Sequence, residues 1–398
     1  MDTLRVRAYN VYFGDAILIT VPDRGPNGKV TQRHILIDVG NYSPPDQSIP
    51  NEDSVFKPIV EDVVSELDDK PLDLYVMTHE HMDHVQGLLY AAKNFYGGDV
   101  NTLKGKLKTR HAWLTASAEE NYYTNHPPAR EKHLQVQEAY KSIVSYFRTF
   151  TGIRSPFIDS ILEINSPRKT KDCVDYLRRL APKAGTSYVH RGTSTKGIHG
   201  FNEARFEIWA PEEDTSTYYA KLLPMAIDLN QQTGAARKFG PRPLVPPAGV
   251  DAGSFYDLVE SRRGIADNLL AIDKAENNTS VVFCLEWRGW RLLFAGDAEE
   301  LSWKQMSQQN AITPVHFLKV SHHGSHNGTP DAELLDQLMP AVRPDNRSRH
   351  ALVSTCENVY GGVPDTMTLD MIRQRCDQLC ETQKLVAPGQ YVDVTFQG

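Results

Sequence analysis

LDLYVMTHEHMDHVQGLL, residues 72–89, is the stretch on which the reading of this chain turns. It begins as a compact apolar strand, LDLYVMT (72–78), and becomes polar at His79-Glu80-His81-Met82-Asp83-His84. From Val85 it continues with the apolar spacing of a helix. A strand end followed by a turn brings such close neighbours to one point. Neutral imidazole nitrogens and carboxylate oxygens are the donors that zinc, manganese or iron accept. The chain holds 14 histidines in 398 residues, so three within one six-residue run are far from an even scatter.

Two later segments repeat the device. LLFAGDAE (292–299) ends an apolar strand at Gly296-Asp297, and LKVSHHGS (318–325) ends another at His322-His323. Asp297 alone would serve equally well as a helix N-cap, and the histidine pair alone could be structural. Three strand-end sites in one chain reinforce each other.

Around these segments the pattern is mixed α/β. LRVRAYNVYF, AILITV and HILIDVG read as strands, VFKPIVEDVVSEL as a helix, and HAWLTAS as a strand. Helical patterns dominate 130–182, TSYVHRG and ARFEIWAP return to strand, and 212–276 carries the Pro-rich GPRPLVPPAG before a helical run, SFYDLVESRRGIADNLLAIDKA. SVVFCLEW, RLLFAGD, VHFLKVSHHG, HALVST and YVDVTF then alternate with helices, the last of them MTLDMIRQRCDQL. Two mixed sheets face to face with helices outside fit this order. Cys376 and Cys380, four apart, read as packing residues of that last helix.

Apolar residues make up 40% and charged residues 23%, enough for a buried core and too ordered a balance for wholesale disorder. The net charge of −7 excludes a polybasic protein, so any nucleic-acid contact must be a local patch. No apolar run approaches the roughly 18 residues of a membrane span, and the N-terminal stretch has no secretory h-region. Five cysteines, an odd number, argue against a disulfide framework. A cytoplasmic protein without membrane contact is expected.

The ordered set FGDAILI, ILIDVG, MTHEHMDHVQG, NNTSVVF, LLFAGDAE and LKVSHHGS resembles the metallo-β-lactamase superfamily, and within it the hydrolase domain of ComEC-type DNA-uptake proteins and their soluble relatives. The resemblance implies a four-layer αββα sandwich spanning 1–398 as a single domain, with 90–276 as a divergent region holding a large helical and loop insertion. It also implies one or two divalent metal ions, zinc or manganese foremost. His79 and His81 would bind the first, Asp83, His84 and His323 the second, and Asp297 both. Asp38 and Asp15 would be supporting carboxylates. Asp83 would hold the nucleophile and His322 would face the developing charge of the substrate, so these two are the catalytic candidates. Lys319, Asn278 and Asn358 are the candidate substrate contacts, although Lys319 reads as readily as a solvated or sheet-edge lysine.

Two positions depart from the superfamily pattern. The third histidine expected for the first metal is replaced by Glu276-Asn277-Asn278-Thr279-Ser280, and His111, His190 and His199 are substitutes to test. In CENVYGGVPDTM, Val363 stands where related proteins often have a histidine before the proline, with Asn358 and Tyr360 nearby.

The function implied is metal-dependent hydrolysis through a metal-activated water, with a phosphodiester as leading substrate: single-stranded DNA or a nucleotide. Basic residues at Lys104, Lys106, Lys108 and Arg110, at Arg168, Lys169 and Lys171, and at Arg178, Arg179 and Lys183 could follow a phosphate backbone or simply be solvated faces. Two alternatives stand beside it. One is a small-molecule ester, lactone or phosphorylcholine-like hydrolase. The other is an effector subunit of a bacterial defence system, dependent on a protein partner encoded alongside.

Overall fold

The architecture follows from where the apolar strands pair. A computed structural model describes residues 2–42, 52–97, 99–149, 156–225, 264–343, 345–357 and 362–398. The strands are β1 (Thr3–Tyr9), β2 (Ile17–Arg24), β3 (Val30–Ile37), β4 (Leu74–Met77), β5 (His111–Thr115), β6 (Thr186–Val189), β7 (Arg205–Ala210), β8 (Val282–Trp287), β9 (Trp290–Phe294), β10 (Phe317–Lys319), β11 (His350–Val353), β12 (Gln378–Glu381) and β13 (Tyr391–Gln397). They form a seven-stranded sheet of order β13-β1-β2-β3-β4-β5-β6 and a six-stranded sheet of order β12-β11-β10-β9-β8-β7. Pairing is antiparallel among β13, β1, β2 and β3, parallel from β3 to β6, parallel from β9 to β12, and antiparallel from β7 to β9.

Alternation decides which side each residue faces. Leu4, Val6, Ile17, Ile19, Ile35, Val76 and Trp113 of the first sheet meet Phe283, Leu285, Phe294, Phe317 and Leu352 of the second in one continuous core. On the outer face of the first sheet Leu18, Leu36, Tyr75 and Leu114 are covered by α1 (Glu52–Leu67), α2 (Met82–Asn94), α3 (Val100–Leu107) and α7 (Pro167–Leu177). The outer face of the second sheet is covered by α9 (Glu300–Gln308), α10 (Ala332–Leu338) and α11 (Thr366–Arg373). The expected four layers of helix, sheet, sheet and helix are present. Between α3 and α7 lie α4 (Tyr122–Asn125), α5 (Pro127–Thr149) and α6 (Pro156–Ile164). α5 and α6 pack with α8 (Ile265–Asn277) into a separate apolar cluster around Ile143, Ile161 and Leu269.

Two expectations change. Cys376 and Cys380 do not share a helix, because α11 ends at Arg373 and residues 378–381 pair in parallel with β11 as the edge strand β12. Sheet pairing overrides the helical pattern there, and Cys380 turns its buried side chain into the intersheet core. Helix α3 was not evident from periodicity alone, whereas α6 falls within the helical stretch 130–182. The Pro-rich segment 238–250 and the first half of the SFYDLVESRRG helix lie outside the described residues.

Parallel pairing aligns the strand ends. Ile37 pairs with Val76, Phe294 with Lys319, and Lys319 with Leu352. Asp38, His79, Asp297, His322, His323 and Ser354 therefore leave their strands at a common edge. Val281 N–H donates to the Thr78 carbonyl at 2.9 Å, and Asp297 N–H to Ser280 Oγ at 3.0 Å. These bonds join the β4 and β9 ends across the gap between sheets.

Candidate metal centre

His79 and His81 lie in the loop after β4, while Asp83 and His84 fall in the first turn of α2. The helix start is held down by two close backbone approaches. A Cβ at Gly40 would collide with the Asp83–His84 peptide, and one at Gly14 would collide with Asp83 O. Asp38, His322 and His323 adopt φ of 47°, 45° and 53°. Left-handed backbone costs non-glycine residues roughly 1–2 kcal/mol each. The surrounding bonds maintain it at all three.

The ligand atoms of Asp83, His84, Asp297 and His323 all lie within 4.8 Å of one another, and all four residues are buried. His84 Nε2 is 3.1 Å from Asp297 Oδ2 and 3.8 Å from Asp83 Oδ2. His323 Nε2 is 3.1 Å from Asp297 Oδ2 and 3.4 Å from Asp83 Oδ2. The opposite ring nitrogens are committed: His84 Nδ1 donates to Asp38 Oδ2 at 2.8 Å, and His323 Nδ1 to Ser354 O at 2.8 Å. Asp38 is itself fixed by Thr78, whose N–H and hydroxyl donate to it at 2.9 and 2.6 Å. His79 Nδ1 lies 3.1 Å from the same hydroxyl. Each of these three rings thus has its Nδ1 engaged and its Nε2 free to act as a donor atom, the arrangement that orients metal-binding imidazoles.

The residues fit a divalent cation. His79 Nε2, His323 Nε2, Asp83 Oδ1 and Asp297 Oδ1 are buried with no hydrogen-bond partner, a costly condition unless another group completes them. Electrostatics agree. Burial, joined by His84 and His81, holds the His79 imidazole well below its ordinary pKa and so neutral. Burial alone would raise Asp297, but His323, His84 and Lys319 outweigh it and keep the carboxylate well below its usual range. Burial likewise opposes charge on His323, yet Asp297 and Asp83 lift it to about 9. Two buried carboxylates thus demand positive charge, and a divalent cation can supply it in place of protons.

Asp15 belongs to this group as a supporting carboxylate. Its Oδ2 is ion-paired with Lys319 Nζ and stands 4.0 Å from His84 Nδ1. Lys319 is neither solvated nor at a sheet edge. It sits on β10 between β9 and β11, 1% exposed, with Nζ 3.2 Å from Gly296 O and 3.6 Å from Asp297 Oδ1. It acts as an internal counter-cation beneath the cluster, with no surface left for substrate.

His81 and His322 belong to a neighbouring set. His81 Nε2 meets Asn165 Oδ1 at 2.9 Å, and Asn165 Nδ2 donates to Asp273 Oδ1 at 2.7 Å. His322 Nδ1 lies 3.2 Å from Glu299 Oε1, and Asn277 Nδ2 donates to Glu299 Oε1 at 2.8 Å. Asp273, Glu299 and His322 form a second set whose ligand atoms lie within 4.8 Å. These polar groups occupy the flank where the third histidine was missing. Only Glu299 had a sequence signal, being the acid of the strand-end GDAE. Asn165 and Asp273 had none, because the helices that deliver them lie in the divergent region.

Of the proposed substitutes, His111 starts β5 and so lies at the opposite sheet edge from its paired strand's His79. His199 packs on Phe206 with ring centroids 4.7 Å apart, and burial lowers it to about 4. His190 Nδ1 is 2.8 Å from Arg191 O.

Asn278, expected at the substrate, is 1% exposed and caps α9. Its Oδ1 accepts from Glu299 N and Ser302 N at 3.2 and 2.8 Å, while its Nδ2 donates to Lys274 O at 2.7 Å. Its amide is fully occupied by the protein. Asn278→Ala should therefore lower stability by about 1–2 kcal/mol, read by urea unfolding. A change in substrate KM without a change in stability would restore the substrate role. Asn358 and Tyr360 lie outside the described residues.

Four residues of the basic clusters are engaged locally. Lys169 pairs with Glu163, Lys171 with Asp175 at 2.6 Å, Arg178 with Asp175 at 2.7 Å, and Lys104 lies 5.0 Å from the Tyr176 ring centroid.

No protein-family model matches the chain, and no curated protein matches it. Among solved structures, the long form of RNase Z from yeast aligns at 14% identity over 28% of this chain and 14% of that chain, with a TM-score of 0.17. No helix among the described residues is long and apolar enough to cross a membrane.

Proposed function

We propose that this protein is a metal-dependent hydrolase of phosphodiesters built on a metallo-β-lactamase-type centre. One observation carries the reading: Asp83, His84, Asp297 and His323 bring their ligand atoms together in the interior, and Asp83 Oδ1, Asp297 Oδ1 and His323 Nε2 are buried without a hydrogen-bond partner. The ordered likeness of the six sequence segments to ComEC-type hydrolase domains favours the phosphodiester.

Asp83, His84, Asp297 and His323 would hold one divalent cation; His79, whose Nε2 has no hydrogen-bond partner, would contribute to a second, and His81 would join it only if its Nε2 left Asn165. A cation there supplies Lewis-acid polarisation of a phosphoryl oxygen and acidifies water at neutral pH. Asp38 fixes the tautomer of His84, and Ser354 O fixes that of His323. Asp83 Oδ1 is free to take a proton from the attacking water. His322, oriented by Glu299, is more exposed than the other imidazoles here, at 15% of its side chain. It would hold a proton at the leaving oxygen. Lys319 balances the carboxylates from below.

Emission spectroscopy on the purified protein, joined to hydrolysis of bis(p-nitrophenyl) phosphate with Mn²⁺ or Zn²⁺, tests the assignment. Wild type should carry at least one equivalent of metal and turn the ester over. The Asp83→Ala, His84→Ala double variant should lose both. Equal metal content and equal rates in the two proteins would refute the centre.

A further inference from the structure

We infer that the cavity beside His81 is a subsite for the positively charged group, an amine or quaternary ammonium, of a small phosphoester substrate. The inference rests on the proposed hydrolytic function and adds the substrate class.

The cavity holds about 340 Å³ and takes His81 as part of its wall, the histidine whose ring centroid lies 4.7 Å from that of His79. That volume lies within the range of small-ligand pockets and is small for a polymer. Its other walls come from the divergent region: Tyr123 before α5, Tyr140 on α5, and Glu276 on α8, opposite the Glu80 contributed by the HEHMDH run itself. Carboxylates combined with aromatic faces are the chemistry that receives an organic cation.

The charge balance points the same way. Lys171 and Arg178 also line the cavity; both pair with Asp175, at 2.6 and 2.7 Å, Arg178 Nε donates to Ala118 O at 2.6 Å, and the Arg178 charge also acts on Glu80. Among the described residues no cation answers Glu276. Burial, then Glu80 and Asp273, pushes its carboxyl up to about 8. A ligand cation in the cavity would give Glu276 the counter-charge it lacks, whereas a nucleic-acid phosphate would not.

The test compares p-nitrophenyl phosphorylcholine with its uncharged isostere, p-nitrophenyl 3,3-dimethylbutyl phosphate, on the full-length metal-loaded protein. A third arm with 2-aminoethyl p-nitrophenyl phosphate separates quaternary ammonium from primary amine. The quantity read is the ratio of kcat/KM, charged over neutral, within each protein. Wild type should favour one of the charged esters about tenfold. Glu276→Gln and Tyr140→Leu should each bring the ratio towards one, and because the ratio is internal, partial loss of folded protein does not alter it. A wild-type ratio near one, or hydrolysis of bis(p-nitrophenyl) phosphate with none of the alkyl esters cleaved, overturns the subsite and leaves the hydrolase standing. Failure to cleave any of the four esters removes the hydrolase and the subsite together.

Discussion

Asp297→Ala should reduce phosphodiester hydrolysis by about a thousandfold or more. Among the described residues Asp297 is the only carboxylate within 3.1 Å of both His84 Nε2 and His323 Nε2, and its second oxygen has no hydrogen-bond partner. Losing it removes the group that joins the β9 end to the other two strand ends. Lewis-acid stabilisation of a phosphoryl transition state is worth several kcal/mol, and each 1.36 kcal/mol is about tenfold in rate. Binding should fail alongside catalysis. A saturating divalent ion raises the unfolding temperature of a protein that binds it only when folded, so Zn²⁺ or Mn²⁺ should raise Tm in wild type and leave the variant flat. A variant with retained activity and an unchanged metal-induced shift would show that Asp297 is merely the N-terminal acid of the α9 turn.

Lys319→Met should be the most damaging single change to stability outside the ligands. It leaves Asp15, 1% exposed, without its ion-pair partner and strips a positive neighbour from Asp297. Removing one member of a buried pair typically costs about 3–5 kcal/mol, because the remaining charge stays desolvated. The double variant Lys319→Met, Asp15→Leu should recover much of the loss, since no lone charge remains. Urea unfolding of the two variants and wild type measures both effects. A single-variant cost below about 1 kcal/mol would mean that water already reaches Asp15.

The legible part of the centre was the part written in short runs. His79, His81, Asp83 and His84 occupy six consecutive positions, and Asp297 and His323 each follow an apolar strand directly, so periodicity placed them at a common edge. Asp38 was legible only through the resemblance of its ILIDVG segment. Lys319 was not legible: its strand position read as a substrate contact or a solvated lysine, and nothing local revealed that Asp15, 304 positions earlier, would lie against it. Asn278 was misleading because an asparagine beside a strand end is as good a cap as a ligand contact. The cavity was not legible at all. Its walls come from the HEHMDH run, α5, α7 and α8, and only tertiary packing decides that Tyr140 and Glu276 share a space with His81.

One helix gathers these separate duties. Along α8 and its cap, Ile272 and Glu276 face the cavity, Asp273 and Asn277 hold the Asn165 and Glu299 side chains, and Asn278 secures the start of α9. Selectivity and chemistry are therefore geared to a single shaft. Exchanging this helix for another to retune which molecules enter would drag the groups around His322 out of alignment, so new preferences should be reachable through the α5 wall far more readily than through α8.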